Sequence, residues 1–176
     1  MWCAIPLFAE LLRPMSSQVS EAKPVHAVEV QISSEFGQLP SKAELGRWAM
    51  AALHGVGREV PPDPSLPSVC LCLVDEEQSR QLNAQWRGKD RATNVLSFPA
   101  NVAGFLGDVV LCAPVIQAEA AEQGKALFDH WAHMVVHGIL HLRGFDHDNE
   151  EAAQEMESNE ALILREFGII NPYESL

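Results

Sequence analysis

The sequence predicts an α+β protein in which helices cover a small mixed sheet of about four strands. Three observations predict this class. Short apolar or alternating runs typical of strands occur only before residue 113, helical segments separate several of these runs, and the chain after residue 112 has helical spacing throughout. Strands that alternate with helices early, followed by helices alone, indicate a sheet covered by helices.

Length and composition predict one folded domain. The chain has 176 residues, of which 47% are hydrophobic and 20% charged, as in ordinary globular proteins. We expect a single domain over residues 25–176 and a flexible N-terminal extension over residues 1–24. The apolar stretch in that extension has no basic residue before it and is interrupted by Arg13 and Pro14, so it is a poor secretion signal and too short to span a bilayer. We therefore expect a cytoplasmic protein without membrane contact, whose start is either Met1 or Met15.

The first half of the chain predicts two strands and two helices. The alternating run at 25–33 and the apolar run at 68–74 are typical of strands, and the proline-rich stretch 61–67 precedes the second of them. The segment 41–55 begins with a serine cap and ends with glycine, and the segment 75–88 has acidic residues in its first turn and a terminal glycine. Both segments are predicted to be helices.

The second half predicts two strands and three helices. The runs at 93–99 and 107–112 are joined by a loop that contains Gly104, which favours an antiparallel pair. Helices are predicted over 113–123, 128–142 and 149–167, and Gly168 ends the last of them.

The cysteines predict buried thiols. Cys70 and Cys72 are two residues apart in an apolar strand, so both lie on one face while Leu71 and Leu73 lie on the other. Metal and redox sites favour a C-x-x-C spacing instead. We expect core thiols in a reducing compartment.

A group of three histidines predicts a metal site. His137 and His141 are four residues apart, so they occupy one face of a helix on adjacent turns. Gly144 allows the helix to end and the chain to turn back, which brings His147 to the same point. Three protein ligands leave a fourth position for water, as in catalytic zinc sites. We expect one Zn²⁺ ion, although imidazole also suits nickel, copper and iron.

Other polar residues near this group have several possible roles. His133 continues the histidine stripe by one turn and is expected in the core or behind the metal ligands, whereas His130 is expected to face solvent. Glu160 lies on an apolar helical stripe, where an unpaired carboxylate is costly, so we expect it to pair with a histidine or arginine of the neighbouring helix.

Two aspartates flank His147. Asp146 and Asp148 can each orient an imidazole ring by accepting its second N–H, or cap the next helix at Asp148 or Asn149. For Asp148 we favour the cap.

Three ordered motifs resemble a known family. The segment "HGILHLRGFDH" is similar to the H-G-x-L-H-L-x-G-[YF]-D-H signature of the YbeY family of rRNA-maturation metalloproteins, and "LNAQWRGKDRATNVLSFP" and "LGDVVLC" are similar to two further blocks of that family. The resemblance covers roughly residues 25–168. The chain departs from the pattern at Ala92, where the family usually has proline, and at Phe145, where it often has tyrosine.

The resemblance implies a zincin-like α+β fold and a function. It implies a zinc-dependent endoribonuclease specific for single-stranded RNA, acting in 3′-end maturation of the 16S rRNA of the small subunit and in ribosome quality control. It also implies that His137, His141 and His147 bind zinc and that Arg87 is essential. Arg87 and Lys89 are predicted to contact RNA phosphates. For Thr93, Asn94 and Ser97 two roles stay open, contact with the substrate or local hydrogen bonds alone.

Gly138 decides between the hydrolase classes. Zinc proteases that read H-E-x-x-H have a glutamate there as general base, whereas a zinc ion alone lowers the pKa of its water to about 7. A peptidase is therefore the weaker interpretation, and a metal-dependent hydrolase of another substrate, such as a peptide or a small amide, stays an alternative. A further alternative is a zinc-stabilised ribosome-assembly factor without significant nuclease activity, since the net charge of −12 suits contact with basic ribosomal proteins.

Overall fold

The computed structural model describes residues 28–55 and 67–174. The strands are β1 (Val28–Ile32), β2 (Ser68–Val74), β3 (Val95–Val102) and β4 (Phe105–Cys112); the helices are α1 (Lys42–His54), α2 (Glu76–Arg87), α3 (Ala113–Glu122), α4 (Leu127–Leu142) and α5 (Glu150–Arg165). These elements confirm the predicted α+β class. The predicted extension 1–24 and most of the proline-rich stretch 61–67 lie outside the described residues, and the domain boundaries stay predictions.

The four strands form one mixed sheet in the order β1-β2-β4-β3. β1, β2 and β4 are parallel to one another, while β3 runs antiparallel to β4, with Val95 opposite Leu111 and Phe98 opposite Asp108. The predicted antiparallel pair is confirmed. β3 is therefore an edge strand of this sheet.

The two faces of the sheet carry different layers. Val69, Leu71 and Leu73 of β2 lie in the main core, with residues of α1, α4 and α5. Cys70 and Cys72 face the other way, in a smaller cluster that includes Leu82 of α2. Both thiols are buried and form no disulfide, which confirms the predicted burial of this pair, while the reducing compartment stays a prediction.

The long helix α4 crosses the main core and contacts α1, α3, α5, β3 and β4. Gly138 allows the close approach to the sheet, because a Cβ atom at this position would lie 2.5 Å from Cγ1 of Val109 and 3.1 Å from Cγ2 of Val95. The hydroxyl of Ser97 on β3 donates a hydrogen bond of 2.8 Å to the Gly138 carbonyl. The histidines that flank Gly138 are thereby held beside β3. Within the described residues, no helix is both long enough and apolar enough to cross a membrane.

Candidate metal centre and cleft

The structure brings the three predicted metal ligands together. The Nε2 atoms of His137 and His141, on adjacent turns of α4, are 3.1 Å apart. After α4 ends, Gly144 adopts a φ of +92° and its N–H bonds to the His141 carbonyl, which turns the chain back. The ring of His147 then lies 5.0 Å from that of His141 and 6.0 Å from that of His137, centroid to centroid.

This donor set fits a zinc ion. One ring nitrogen of each histidine lies within 4.8 Å of the others, so the group could hold a metal ion. Two nitrogens bound tetrahedrally to zinc at about 2.0–2.1 Å are separated by about 3.4 Å, close to the 3.1 Å between His137 and His141. His147 is exposed, so its ring has room for the small adjustment that closes the set.

The local environment keeps His141 in the form that binds metal. Burial lowers the pKa of His141, and the proximity of the His137 and His147 rings lowers it further. The ring is therefore neutral at pH 7. A neutral imidazole offers a lone pair to a cation, whereas a protonated one must first lose its proton.

A buried carboxylate lies behind the group. Glu160 of α5 is fully buried, and its Oε1 is 2.7 Å from Nδ1 of His137 while its Oε2 is 3.1 Å from Nε2 of His133. The Tyr173 hydroxyl donates a hydrogen bond to the same Oε2. These contacts confirm the predicted pairing of Glu160 with histidines of the neighbouring helix.

The histidine contacts decide the protonation state of Glu160. Burial alone raises the pKa of this carboxyl, but the hydrogen bonds and electrostatic interactions with the His133 and His137 rings outweigh burial and lower the pKa to about 2. Burial and the charge of Glu160 in turn raise the pKa of the Tyr173 hydroxyl. Glu160 is therefore an anion at neutral pH and Tyr173 is a neutral donor.

The prediction that His130 faces solvent is wrong. His130 is only 3% exposed, and its Nε2 lies 3.0 Å from Oε2 of Glu119, which also accepts a bond of 3.0 Å from the Asn94 amide. Burial lowers the pKa of His130 more than Glu119 raises it. Because α4 is covered on most of its surface, it has no broad polar face on which His130 could lie. His133 is buried, as predicted.

The aspartates beside His147 behave differently. Asp146 accepts a 2.8 Å bond from the His147 amide, and its Oδ1 is 3.9 Å from Nδ1 of His141, beyond hydrogen-bond reach. Asn149, not Asp148, caps α5 by accepting a 2.9 Å bond from the Ala152 amide. The cap predicted for Asp148 is therefore wrong, since adjacent residues that both suit the position compete for it and only one takes the cap geometry.

The three histidines line a cleft of about 690 Å³ together with Arg87. Arg87 is the last residue of α2, and Gly88 follows it with a φ of +68°. Fifty sequence positions separate Arg87 from His137, and the fold brings both to one cleft. The cleft is also lined by Thr93, Asn94 and Ser97. Lys89 is not among the described residues that line it.

Arg87 is the cation available in this cleft. Among the described residues it forms no salt bridge, whereas Arg80 on the same helix pairs with Asp90 at 2.7 Å and Glu77 at 3.5 Å. The Asn94 and Ser97 side chains donate to Glu119 and to the Gly138 carbonyl, so their hydrogen-bond donors are used within the protein.

Sequence reasoning missed two aromatic residues of the cleft. Trp86 and Phe98 both line it, and their rings pack edge to face with centroids 5.8 Å apart. Trp86 is 53% exposed. The available signal was the position of Trp86 directly before Arg87, inside the motif that resembles the family.

The fold and the site define an α+β protein with a three-histidine group that could hold a metal ion in an open cleft. A family model described as Endoribonuclease YbeY matches residues 29–168. The chain belongs to this family.

Named relatives agree with that assignment. Proteins named Endoribonuclease YbeY are 46% identical over 153 residues in Colwellia psychrerythraea, covering 84% of this chain and 97% of the relative, and 50% identical over 143 residues in Stutzerimonas stutzeri, covering 78% and 85%. The solution structure of TM1509 from Thermotoga maritima matches 84% of this chain and 99% of its own, with a TM-score of 0.50 and 21% identity, which supports the fold alone.

Proposed function

We propose that the protein is a cytoplasmic, zinc-dependent endoribonuclease specific for single-stranded RNA. In this proposal it matures the 3′ end of the 16S rRNA of the small subunit and takes part in ribosome quality control. The observation that carries the proposal is the meeting of Arg87 and the three histidines in one cleft. Membership of the YbeY family supports it.

The residues of the cleft divide the chemistry between them. His137, His141 and His147 would hold the Zn²⁺ ion, which would supply Lewis-acid chemistry that lowers the pKa of water and polarises a phosphoryl oxygen. The guanidinium of Arg87 offers a planar fork that binds two phosphate oxygens and offsets the charge that develops on them. Lys89 lies two residues beyond Arg87 and is exposed, so its point charge can reach a flanking phosphate.

The aromatic residues account for the preference for single strands. A base that is free of a duplex can stack on an exposed ring, and each such contact is worth about 1–3 kcal/mol. Trp86 presents such a ring beside Arg87, and Phe98 supports it from β3. A base held in a duplex already stacks on its neighbours and cannot use this surface.

The packing of Gly138 argues against a peptidase. The glutamate of the H-E-x-x-H pattern would occupy this position, but its Cβ would collide with Val109 at 2.5 Å. A side chain at position 138 could fit only if α4 or the strands beside it shifted. The close packing of α4 on the sheet is therefore compatible with glycine and not with that glutamate.

The test is single-turnover cleavage of a defined, end-labelled single-stranded RNA by zinc-loaded protein, with the matching duplex as a second substrate. We expect wild type to cut the single strand and spare the duplex. His137→Ala should lose zinc and cleavage, while Arg87→Ala should keep zinc and lose about 100-fold or more in rate. Arg80→Ala is the matched control: it removes a paired arginine from the same helix and should cleave like wild type.

Two results would contradict the proposal. Equal cleavage by all four proteins indicates a contaminating nuclease. Wild type that binds zinc and RNA but leaves the RNA intact indicates an assembly factor instead. When cleavage occurs, a 2′,3′-cyclic phosphate with a 5′-hydroxyl on the other fragment shows attack by the ribose 2′-hydroxyl, whereas a 5′-phosphate with a 3′-hydroxyl shows attack by water.

A further inference from the structure

Glu160 holds an unusual position for a carboxylate. It lies on α5, is 0% exposed, and belongs to the same buried layer as Met156, Ile163 and Leu164. A charge in such a place is costly unless hydrogen bonds replace its water. Three donors do so here, from His137, His133 and Tyr173. Three hydrogen-bond donors thus stabilise one buried carboxylate directly behind the histidine group.

We propose that Glu160 is a positioning residue of the metal centre, which fixes the ring of His137 with its Nε2 directed at the cleft. This inference deepens the proposed function and depends on zinc binding at the three histidines. Metal-binding histidines commonly donate their second ring N–H to a carboxylate, which sets both tautomer and orientation.

The hydrogen-bond geometry supports a proton on Nδ1 of His137. This nitrogen is 2.7 Å from Oε1 of Glu160, a length typical of a charge-assisted N–H···O bond. With the proton on Nδ1, the lone pair of His137 lies on Nε2, the atom 3.1 Å from Nε2 of His141. The carboxylate therefore presents the correct nitrogen to the metal.

A second interpretation makes Glu160 a metal ligand itself. His133, His137 and Glu160 also lie close enough together to hold an ion. Two atoms bound to one tetrahedral zinc are separated by about 3.3 Å, whereas Oε1 of Glu160 and Nδ1 of His137 are 2.7 Å apart. The shorter distance favours a direct hydrogen bond.

His133 and Tyr173 hold the other oxygen of the carboxylate. Nε2 of His133 is 3.1 Å from Oε2, and the Tyr173 hydroxyl bonds to the same atom and lies 3.2 Å from His133. Oε1 is thereby left to His137. Tyr173 is the single tyrosine of the sequence, so a Tyr173→Phe variant removes one defined donor from this arrangement.

The experiment measures zinc affinity by competition with a chelator in wild type, Glu160→Gln, Tyr173→Phe and the control Glu155→Gln. Glu155 is an exposed glutamate of the same helix. We expect Glu160→Gln to weaken zinc binding by about 10-fold to 100-fold. Tyr173→Phe should fall between Glu160→Gln and wild type, and Glu155→Gln should match wild type.

Two further measurements separate positioning from a merely structural role. Nitrogen NMR of the histidine rings should show His137 protonated at Nδ1 in metal-free wild type and a mixture of tautomers in Glu160→Gln. Urea unfolding of the metal-free proteins gives the loss of stability. Lower stability with zinc affinity and tautomer both unchanged would overturn the proposal.

The remaining outcomes are also distinct. If wild type binds no zinc, the proposed function fails, and the role of Glu160 fails with it. If wild type binds one zinc and Glu160→Gln binds it equally well, only the role of Glu160 fails. Two zinc ions in wild type, one of them lost in Glu160→Gln, would show that Glu160 is a ligand and overturn the positioning role.

Discussion

The two ends of the histidine stripe on α4 have different surroundings. His130 and His133 are 3% and 8% exposed, and each contacts a carboxylate from another helix. The side chains of His137 and His141 are 21% and 24% exposed and line the cleft with their Nε2 atoms side by side.

Helical spacing alone does not decide which histidines of the stripe are buried and which line the cleft. Residues three or four apart on a helix share a face, and this holds for the whole stripe. Burial beside carboxylates gives the first pair internal hydrogen bonds, whereas partial exposure beside a third imidazole places the second pair in a group that could hold a cation. The role open to a histidine of the stripe thus depends on its neighbours.

The largest effect is expected at the ligand end. His141→Ala should weaken zinc binding by more than about 100-fold, because the two remaining imidazoles provide fewer protein ligands than zinc sites need. RNA cleavage should be lost with the metal. Elemental analysis of the purified protein gives zinc per chain, and circular dichroism checks the fold. Full zinc occupancy in a folded His141→Ala protein would remove this residue from the site.

The contact between the stripe and the sheet should give the next effect. Gly138→Ala places a Cβ 2.5 Å from Val109, so α4 or the strand has to shift, at a cost of about 1–3 kcal/mol in the free energy of unfolding. Urea unfolding measures this change. Gly46→Ala is the control, because Gly46 also lies within a helix and a Cβ added there would meet no neighbouring group within 4 Å. If Gly138→Ala left the free energy of unfolding unchanged, α4 would have more room beside Val109 than this packing shows.

A substitution at the buried end of the stripe should lower the free energy of unfolding and leave zinc affinity unchanged. His130→Ala leaves a cavity and removes a partner of Glu119, which costs about 2 kcal/mol. The pKa of His130 is lowered from 6.5 in the folded protein, so its contribution is complete above pH 6.5 and falls as the pH drops through the folded pKa.

The pH dependence offers a direct check. The difference in unfolding free energy between wild type and His130→Ala should be larger at about pH 8 than at about pH 5.5. A constant difference would contradict a neutral buried His130, and loss of zinc in this variant would break the division between the two ends.

The smallest effect is expected at Asp146. Its carboxylate is 3.9 Å from His141 and is exposed, so solvent screens the interaction. Asp146→Asn should change zinc affinity by less than about twofold. A change as large as that expected for Glu160→Gln would show that Asp146 also orients a ligand.

Local patterns were sufficient to predict the elements and the three histidines that the fold brings together. The apolar run that forms β2 and the glycine that ends α2 are features of a few adjacent residues. The turn of the chain at Gly144 also follows from a short motif. His137, His141 and His147 were predicted for the same reason, since all three fall within eleven positions.

Contacts between distant segments were not predictable in the same way. Tyr173 lies beyond the glycine that follows α5, and nothing in its local sequence indicates that it reaches back to Glu160. His130 has helical spacing that suits either burial or exposure, and only the layers around α4 decide between them. Trp86 was overlooked because an exposed helix end resembles an ordinary solvent surface.

X-ray absorption spectroscopy at the zinc edge of metal-loaded wild type tests the proposed metal centre most directly. We expect one zinc per chain, with three imidazole nitrogens at about 2.0 Å and the remaining coordination supplied by solvent oxygen. Sulfur in the coordination sphere, a fourth protein side chain, or a spectrum unchanged in His141→Ala would contradict it.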